Sequence, residues 1–293
     1  MSSSTSNADH IIAYQGVPGA YSQLACHMRF PDMDTLSCAS FEDMLQAVVD
    51  GNARYAMVPV ENSVAGRVAD IHHLLPSSGL SIIGEHFQPV NHHLLGVKGA
   101  GLEQLTSVKS HAQGLAQCRN GLRELGLIPV MHPDTAGAAA DVAAMGDASI
   151  GAIASSLAAD IYGLDILKAG MEDATTNTTR MLIMAKRPEY PANQSDTAIT
   201  TLIFRLRSVP AALYKALGGF ATNGINLTKL ESYMLDGNFT AVQFYIDAET
   251  HVESHAFALA LEELQFFCPK DAVTILGCYP ADKARYQTND SVS

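Results

Sequence analysis

RPEYPANQSDT, Arg187 to Thr197, carries two prolines and a polar run, and the pattern of the chain changes across it. Proline fixes φ and withholds a donor, so the stretch reads as a linker. Upstream, from Ile11 to about Lys186, short apolar runs alternate with helical periodicity. IIAY, YAMVPV, LSIIG, IPVM, SIGAIA and LDILKA read as strands. YSQLACHMRF, SFEDMLQAVVDG and DTAGAAADVAAMG read as helices. Ser40 with Asp43 predicts a helix start, and Gly51 its end. Strands alternating with helices imply parallel sheets covered on both faces, with ligands at the carboxyl ends of strands. Downstream the order is strand, helix, strand, strand, helix, strand: ITTLIFRL, PAALYKALGGFATNG, NLTKLESYML, FTAVQFYID, HAFALALEELQFF, AVTILGCY. That order predicts a ferredoxin-like βαββαβ unit, with LDGN, residues 235–238, as a hairpin turn. The expected domains are 10–187 and 198–280.

The chain has 293 residues, 47% of them hydrophobic and 16% charged, which suits two globular domains. A net charge of −12 argues against nucleic acid or an anionic membrane as partner. A small anionic substrate stays possible, because one local Arg can bind a carboxylate. The five cysteines include no CxxC pair, so neither a disulfide framework nor a zinc site is expected, and buried thiols in a reducing cytosol fit. No apolar run approaches the ~20 residues of a membrane span. The head MSSSTSNAD lacks the apolar core of a signal peptide and reads as a frayed tail, as does the polar end after Tyr286. A cytoplasmic protein is the expectation.

Several stretches could carry chemistry. In VPVENS, Glu61, Asn62 and Ser63 stand where a strand gives way to a helix; they could cap it or bind an anion there. Ser110 and His111 in SHAQ could start a helix or face a cleft. His72–His73 and His92–His93 invite a metal, but adjacent side chains point in different directions, and no metal is expected. GVPGAYS, Gly16 to Ser22, is a tight strand-to-helix turn without a nucleotide-loop pattern. NTTRM, Asn177 to Met181, leads two hydroxyls and a guanidinium into the apolar run LIM. Arg180 could form a surface ion pair there, or, partly buried, hold a bound carboxylate.

Taken in order, AYQGVPGAYS, VPVENSVAGRV, GEHFQPVNHHLL, SHAQGLAQC, IASSLAADIYGLDIL and MEDATTNTTRM resemble the prephenate dehydratase family, here in monofunctional form with a C-terminal ACT regulatory domain. The family's hallmark is a Thr-Arg-Phe tripeptide. Thr179 and Arg180 occupy its first two places, and Met181 replaces the Phe. Asn91 stands for a usual His, and Ala112 for a usual Pro. The resemblance implies two α/β lobes arranged like a type II periplasmic binding protein, with the site in the cleft. It implies conversion of prephenate to phenylpyruvate without a cofactor, in phenylalanine biosynthesis.

On this reading Thr179 donates a hydrogen bond to the departing hydroxyl, where charge develops. Arg180 holds the pyruvyl carboxylate, because a tight ion pair on the carboxylate lost as carbon dioxide would favour the ground state. Glu61 orients Arg180 or the cap. Asn62, Ser63, Ser110 and His111 supply polar contacts, with Thr178, Gln113, Tyr21 and Ser22 beside the substrate.

The resemblance also implies phenylalanine feedback at an interface between ACT modules in a homodimer or homotetramer. The effector residues would be Ala211, Ala212, Leu213, Asn223, Gly224, Asn226, Leu227, Glu231 and Ser232. Ala211 replaces a usual Gly, and Tyr233 a usual Arg. Two alternatives remain: an arogenate dehydratase, or a two-lobed binding module without catalysis.

Overall fold

The computed structural model describes residues 7–174, 176–192, 197–235 and 238–286. The strands are β1 (Ile11–Gln15), β2 (Asp34–Cys38), β3 (Tyr55–Asn62), β4 (Gly66–Arg67), β5 (Ser81–Pro89), β6 (His93–Gly96), β7 (Ser107–His111), β8 (Ile128–His132), β9 (Ile150–Ala154), β10 (Asp165–Lys168), β11 (Thr178–Ala185), β12 (Ala198–Arg205), β13 (Leu227–Leu235), β14 (Asn238–Ala248) and β15 (Val273–Pro280). The helices are α1 (Tyr21–Arg29), α2 (Phe41–Val49), α3 (Ala69–Leu74), α4 (Ala112–Gln117), α5 (Arg119–Glu124), α6 (Thr135–Met145), α7 (Ser156–Tyr162), α8 (Ala212–Thr222) and α9 (His255–Phe267). Asn7–His10 of the expected frayed head form a single 3-10 turn. Residues 1–6, 175, 193–196, 236–237 and 287–293 lie outside the description, and with them part of the head, one residue of MEDATTNTTRM, the tail, the linker and the LDGN turn.

By compactness the chain divides into two units. One holds the residues up to Ile71 and His86–Met181; the other holds His72–Glu85 and the chain from Leu182. The reason lies in residues 72–85. There Ile82 on β5 runs parallel beside Gly277 of β15, so that β5 extends the C-terminal sheet. A Cβ at Gly277 would collide with the Ile82 backbone, which is why glycine stands there. His72 stacks on Tyr233 with ring centroids 5.3 Å apart.

In the first unit, β1 pairs in parallel with both β2 and β3, and β11 lies beside β3. Ser40 caps α2 by accepting from the Asp43 N–H, and Gly51 follows it at φ 78°. The second sheet runs β10-β6-β9-β7-β8. β7 is parallel to β8 and β9, while β6 is antiparallel to β9 and β10, so this lobe is mixed rather than wholly parallel. The alanine-rich α6 buries Ala138, Ala139 and Val142 against Leu95, Ala152 and Ala154. Small side chains let that helix lie close to the sheet. VPVENS departs from its expectation. β3 turns back through β4, with Glu61 in register with Arg67, before α3 begins. The Asn62 side chain closes that turn by accepting from the N–H groups of Val64 and Ala65 at 3.0 and 2.8 Å. It caps a hairpin, not a helix.

The second unit has the βαββαβ order, and its sheet runs β13-β14-β12-β15, antiparallel throughout. Leu202, Phe204, Phe220, Ile246, Phe257 and Leu264 form the core between sheet and helices. Burying one such side chain contributes about 1.5–3 kcal/mol. On the other face, Arg285 forks onto the buried Glu85 at 2.8 and 2.6 Å and reaches Asp247 at 3.5 Å.

Candidate active site

Gln15 ends β1, Asn62 ends β3 and His111 ends β7, so the carboxyl ends of strands from both lobes meet at one cavity of about 390 Å³. Thr179, at the start of β11, lines it too. The lobes are joined beside the cavity through the Gly16–Ala20 turn. Ser155 and Tyr162 donate to the carbonyls of Gly19 and Pro18 at 2.6 and 2.7 Å. Gly19 has φ 90°, and a Cβ there would come within 2.8 Å of the Ala158 backbone. Only glycine suits that approach.

A chain of side-chain hydrogen bonds crosses the site, and its directions can be worked out from one end. Asn62 Oδ1 is fixed as an acceptor by the Val64 and Ala65 N–H groups. Its Nδ2 therefore donates, to Thr179 Oγ1 at 3.0 Å and Asn177 Oδ1 at 2.8 Å. Asn177 Nδ2 then donates to Gln117 Oε1 at 3.0 Å. His92 Nε2 meets the same Gln117 oxygen at 2.8 Å, so it carries the proton. His92 Nδ1 lies 2.9 Å from the Tyr21 hydroxyl, whose single proton is shared between that nitrogen and the Asn91 carbonyl at 2.7 Å.

The electrostatics agree with these directions. Burial pushes the His92 pKa down, against smaller upward pulls from the Gln117 hydrogen bond and Glu172, so the ring is held neutral. Burial also pushes the Tyr21 phenol well up and keeps it a donor. Because Thr179 Oγ1 accepts from Asn62, its own proton is free to donate into the cavity. A hydroxyl held in that way can place a hydrogen bond on charge forming at a leaving oxygen.

The sequence candidates separate into two groups. Thr179, Asn62, His111, Gln113 and Tyr21 line the cavity. Arg180 is not among the lining residues. It is buried, and along a strand its side chain leaves by the face opposite to Thr179. Glu61 is offset from Asn62 in the same way. Ser63 instead pins β3 to β11: its hydroxyl donates to the Thr176 carbonyl at 2.8 Å and accepts from the Thr178 N–H at 2.9 Å. Thr178, beside it, is half-buried outside the lining. Ser110 is fully buried and donates to the Ile153 carbonyl at 2.7 Å, while Ser22 on α1 lies outside the lining. Met181 is buried and does not line the cavity. His111 caps α4 by accepting from the Gln113 N–H at 3.3 Å.

Sequence reasoning missed His92, Gln117 and Asn177, and also Asp134 and Thr135 at the start of α6. The one available signal was helical spacing: Gln117 stands four residues after Gln113, on the same face of α4. His92 and His93 go separate ways, as adjacent residues should. All five cysteines are buried, and burial pushes the Cys26 and Cys118 thiols up to about 12.

Fold and site together define a two-lobed α/β protein whose cleft presents hydroxyl and carboxamide donors. The prephenate dehydratase family model matches residues 12–189, and the chain belongs to that family of dehydratases in phenylalanine biosynthesis. It is 50% identical over 279 residues to a bifunctional N-acyl-homoserine lactone acylase/prephenate dehydratase of Komagataeibacter europaeus, covering 95% of this chain and 99% of that one. It is 41% identical over 288 residues to arogenate dehydratase/prephenate dehydratase 1 of Arabidopsis thaliana, covering 94% and 73%. Among solved structures, prephenate dehydratase of Arthrobacter aurescens in complex with L-Phe superposes with a TM-score of 0.83 at 28% identity, covering 94% and 91%. No helix among the described residues is long and apolar enough to cross a membrane.

Proposed function

We propose that the chain converts prephenate to phenylpyruvate, releasing carbon dioxide and hydroxide from the ring, and that phenylalanine regulates it through the βαββαβ unit as an ACT module. The observation that carries this reading is the Asn62–Thr179 bond. The ring carboxylate leaves as carbon dioxide, its bonding pair enters the ring, and the C–O bond to the hydroxyl breaks. Aromatisation supplies the drive, so the protein mainly orients the dianion and stabilises the departing oxygen. Thr179 donates to that oxygen, and the neighbouring amides orient the substrate. The experiment is turnover of prephenate with and without phenylalanine. A rate that does not respond to millimolar phenylalanine removes the regulatory half.

Arogenate is the second reading, and one observation favours it. Asp134 lines the cavity, and among the lining residues there is no Lys or Arg. A carboxylate suits the ammonium of arogenate better than the keto group of prephenate. Asp134 also caps α6, accepting from the Gly137 N–H. Asp134→Asn keeps a capping acceptor and removes the charge. If arogenate is the substrate, this change lowers the arogenate-to-prephenate ratio of kcat/KM.

The acylase activity named for the Komagataeibacter relative is a separate test. A groove of about 400 Å³ lined by Leu115, Leu122, Leu127 and Met131 could take an acyl chain. Hydrolysis of an N-acyl-homoserine lactone that survives Thr179→Ala would place it at another site.

A further inference from the structure

We propose that His92, braced by Tyr21, is a positioning residue that turns the Gln117 carboxamide so that its N–H groups face the substrate. The inference rests on the dehydratase reading for its effect on rate, and on hydrogen-bond directions alone for its geometry.

Gln117 Oε1 accepts two hydrogen bonds, from His92 Nε2 at 2.8 Å and Asn177 Nδ2 at 3.0 Å. Both lone pairs of that oxygen are used, so the NH₂ group turns the other way. Gln117 lines both the 390 Å³ cavity and a pocket of about 290 Å³, the space left to its donors once its oxygen faces His92 and Asn177. The terminal torsion of glutamine is broad and nearly two-fold. A flipped carboxamide would aim its oxygen at an anionic substrate and set its NH₂ against two donors. His92 and Asn177 together forbid the flip.

The ring of His92 is held from several sides. It is 2% exposed and stands edge-on to Tyr21, with centroids 5.6 Å apart and planes at 84°. Its backbone N–H donates to Glu172 Oε2 at 2.8 Å, and its carbonyl accepts from the Met171 N–H at 2.8 Å. A histidine kept only for packing would not need a particular nitrogen protonated. Here the Nε2–H tautomer follows from a chain of bonds that begins at the backbone of Val64 and Ala65, and Nδ1 then shares the one Tyr21 proton with the Asn91 carbonyl.

The test has two arms. In the first, imidazole 15N shifts of the full-length protein at pH 7.5 report which nitrogen of His92 bears the proton. A pyrrole-like Nε2 with a pyridine-like Nδ1 is expected, and the opposite tautomer overturns the proposal whether or not the protein turns over substrate. The second arm is a double-mutant cycle on kcat/KM for the better of prephenate and arogenate. His92→Leu is expected to lower it roughly 100-fold, as for loss of one preorganised donor. His92→Gln, which can offer an N–H at similar reach, is expected to recover most of that loss. In a Gln117→Ala background His92→Leu is expected to cost less than about threefold, because the group it aims is gone. An equal loss in both backgrounds, or no recovery with His92→Gln, makes His92 merely structural. Wild-type protein inactive on both substrates would sink the dehydratase reading, and the tautomer would still decide the geometry.

Discussion

The two units treat their candidate residues differently. In the first, Thr179, Asn62 and Tyr21 come from three elements far apart in sequence and meet in one hydrogen-bonded chain. In the second, the proposed effector residues do not meet. Ala211, Ala212 and Leu213 stand at the start of α8, and Asn223, Gly224, Asn226 and Leu227 follow its end, about 16 Å away at 1.5 Å per residue. Asn223 is occupied with the Gly219 carbonyl at 2.7 Å and Asn226 with Glu249 at 2.7 Å. Glu231 and Ser232 point to opposite faces of β13, and Glu231 lies 2.7 Å from Lys229. A catalytic cleft can be completed by one chain folding on itself. A ligand site drawn from both ends of a helix and an edge strand needs a second copy beside β13, which suits the proposed homodimer or homotetramer.

The largest expected effect comes from the residue that gives the chain of bonds its direction. Asn62→Asp keeps an acceptor for the Val64 and Ala65 N–H groups and removes both donors. Turnover should fall roughly 100-fold or more, with about 1–3 kcal/mol of stability lost. Turnover within twofold of wild type would break the contrast between the units.

Arg180 sharpens the same comparison within a single strand. If it is a buried structural cation, Arg180→Met should cost about 3 kcal/mol in urea unfolding and leave KM within a few-fold. A tenfold rise in KM with little loss of stability would restore it as the carboxylate anchor.

In the second unit the expected change is smaller and opposite in sign. Ala211 adopts φ 58°, a left-handed conformation that costs a residue with a Cβ about 1–2 kcal/mol. Ala211→Gly should raise stability by about 1 kcal/mol, read as a higher melting temperature. An unchanged or lower melting temperature would mean the Ala211 methyl makes contacts worth as much as the strain.

The smallest effect is on pH dependence. Burial lowers the pKa of His92 and His93 in the folded chain, with Glu172 pulling both upward by less. Above the unfolded value of about 6.5 both states are neutral and the stability is fully present. As pH falls below it, the unfolded chain takes up protons first and stability is lost. The melting temperature should therefore be flat between pH 7 and 8 and fall below 6.5. His92→Gln should flatten part of that slope.

Much of the fold could be read from apolar periodicity, because each strand run and helix stripe records which face is buried. The βαββαβ order was legible for that reason. The pairing of Ile82 with Gly277 was not, because a long-range contact leaves no local period. The same limit applies to the site. Thr179 and Asn62 stood in motifs at strand ends. Arg180 stood in one as well, and alternation alone should have separated it from Thr179. His92, Gln117 and Asn177 act through partners 25 to 115 residues away, and no local spacing encodes such bonds.

The central claim is that Thr179 donates a hydrogen bond to the departing oxygen, and steady-state turnover of prephenate by Thr179 variants tests it most directly. Thr179→Ser should keep kcat within about tenfold. Thr179→Val, nearly isosteric but without the donor, should lose roughly 100- to 1000-fold in kcat with little change in KM. A Val variant that turns over at the wild-type rate would contradict the account.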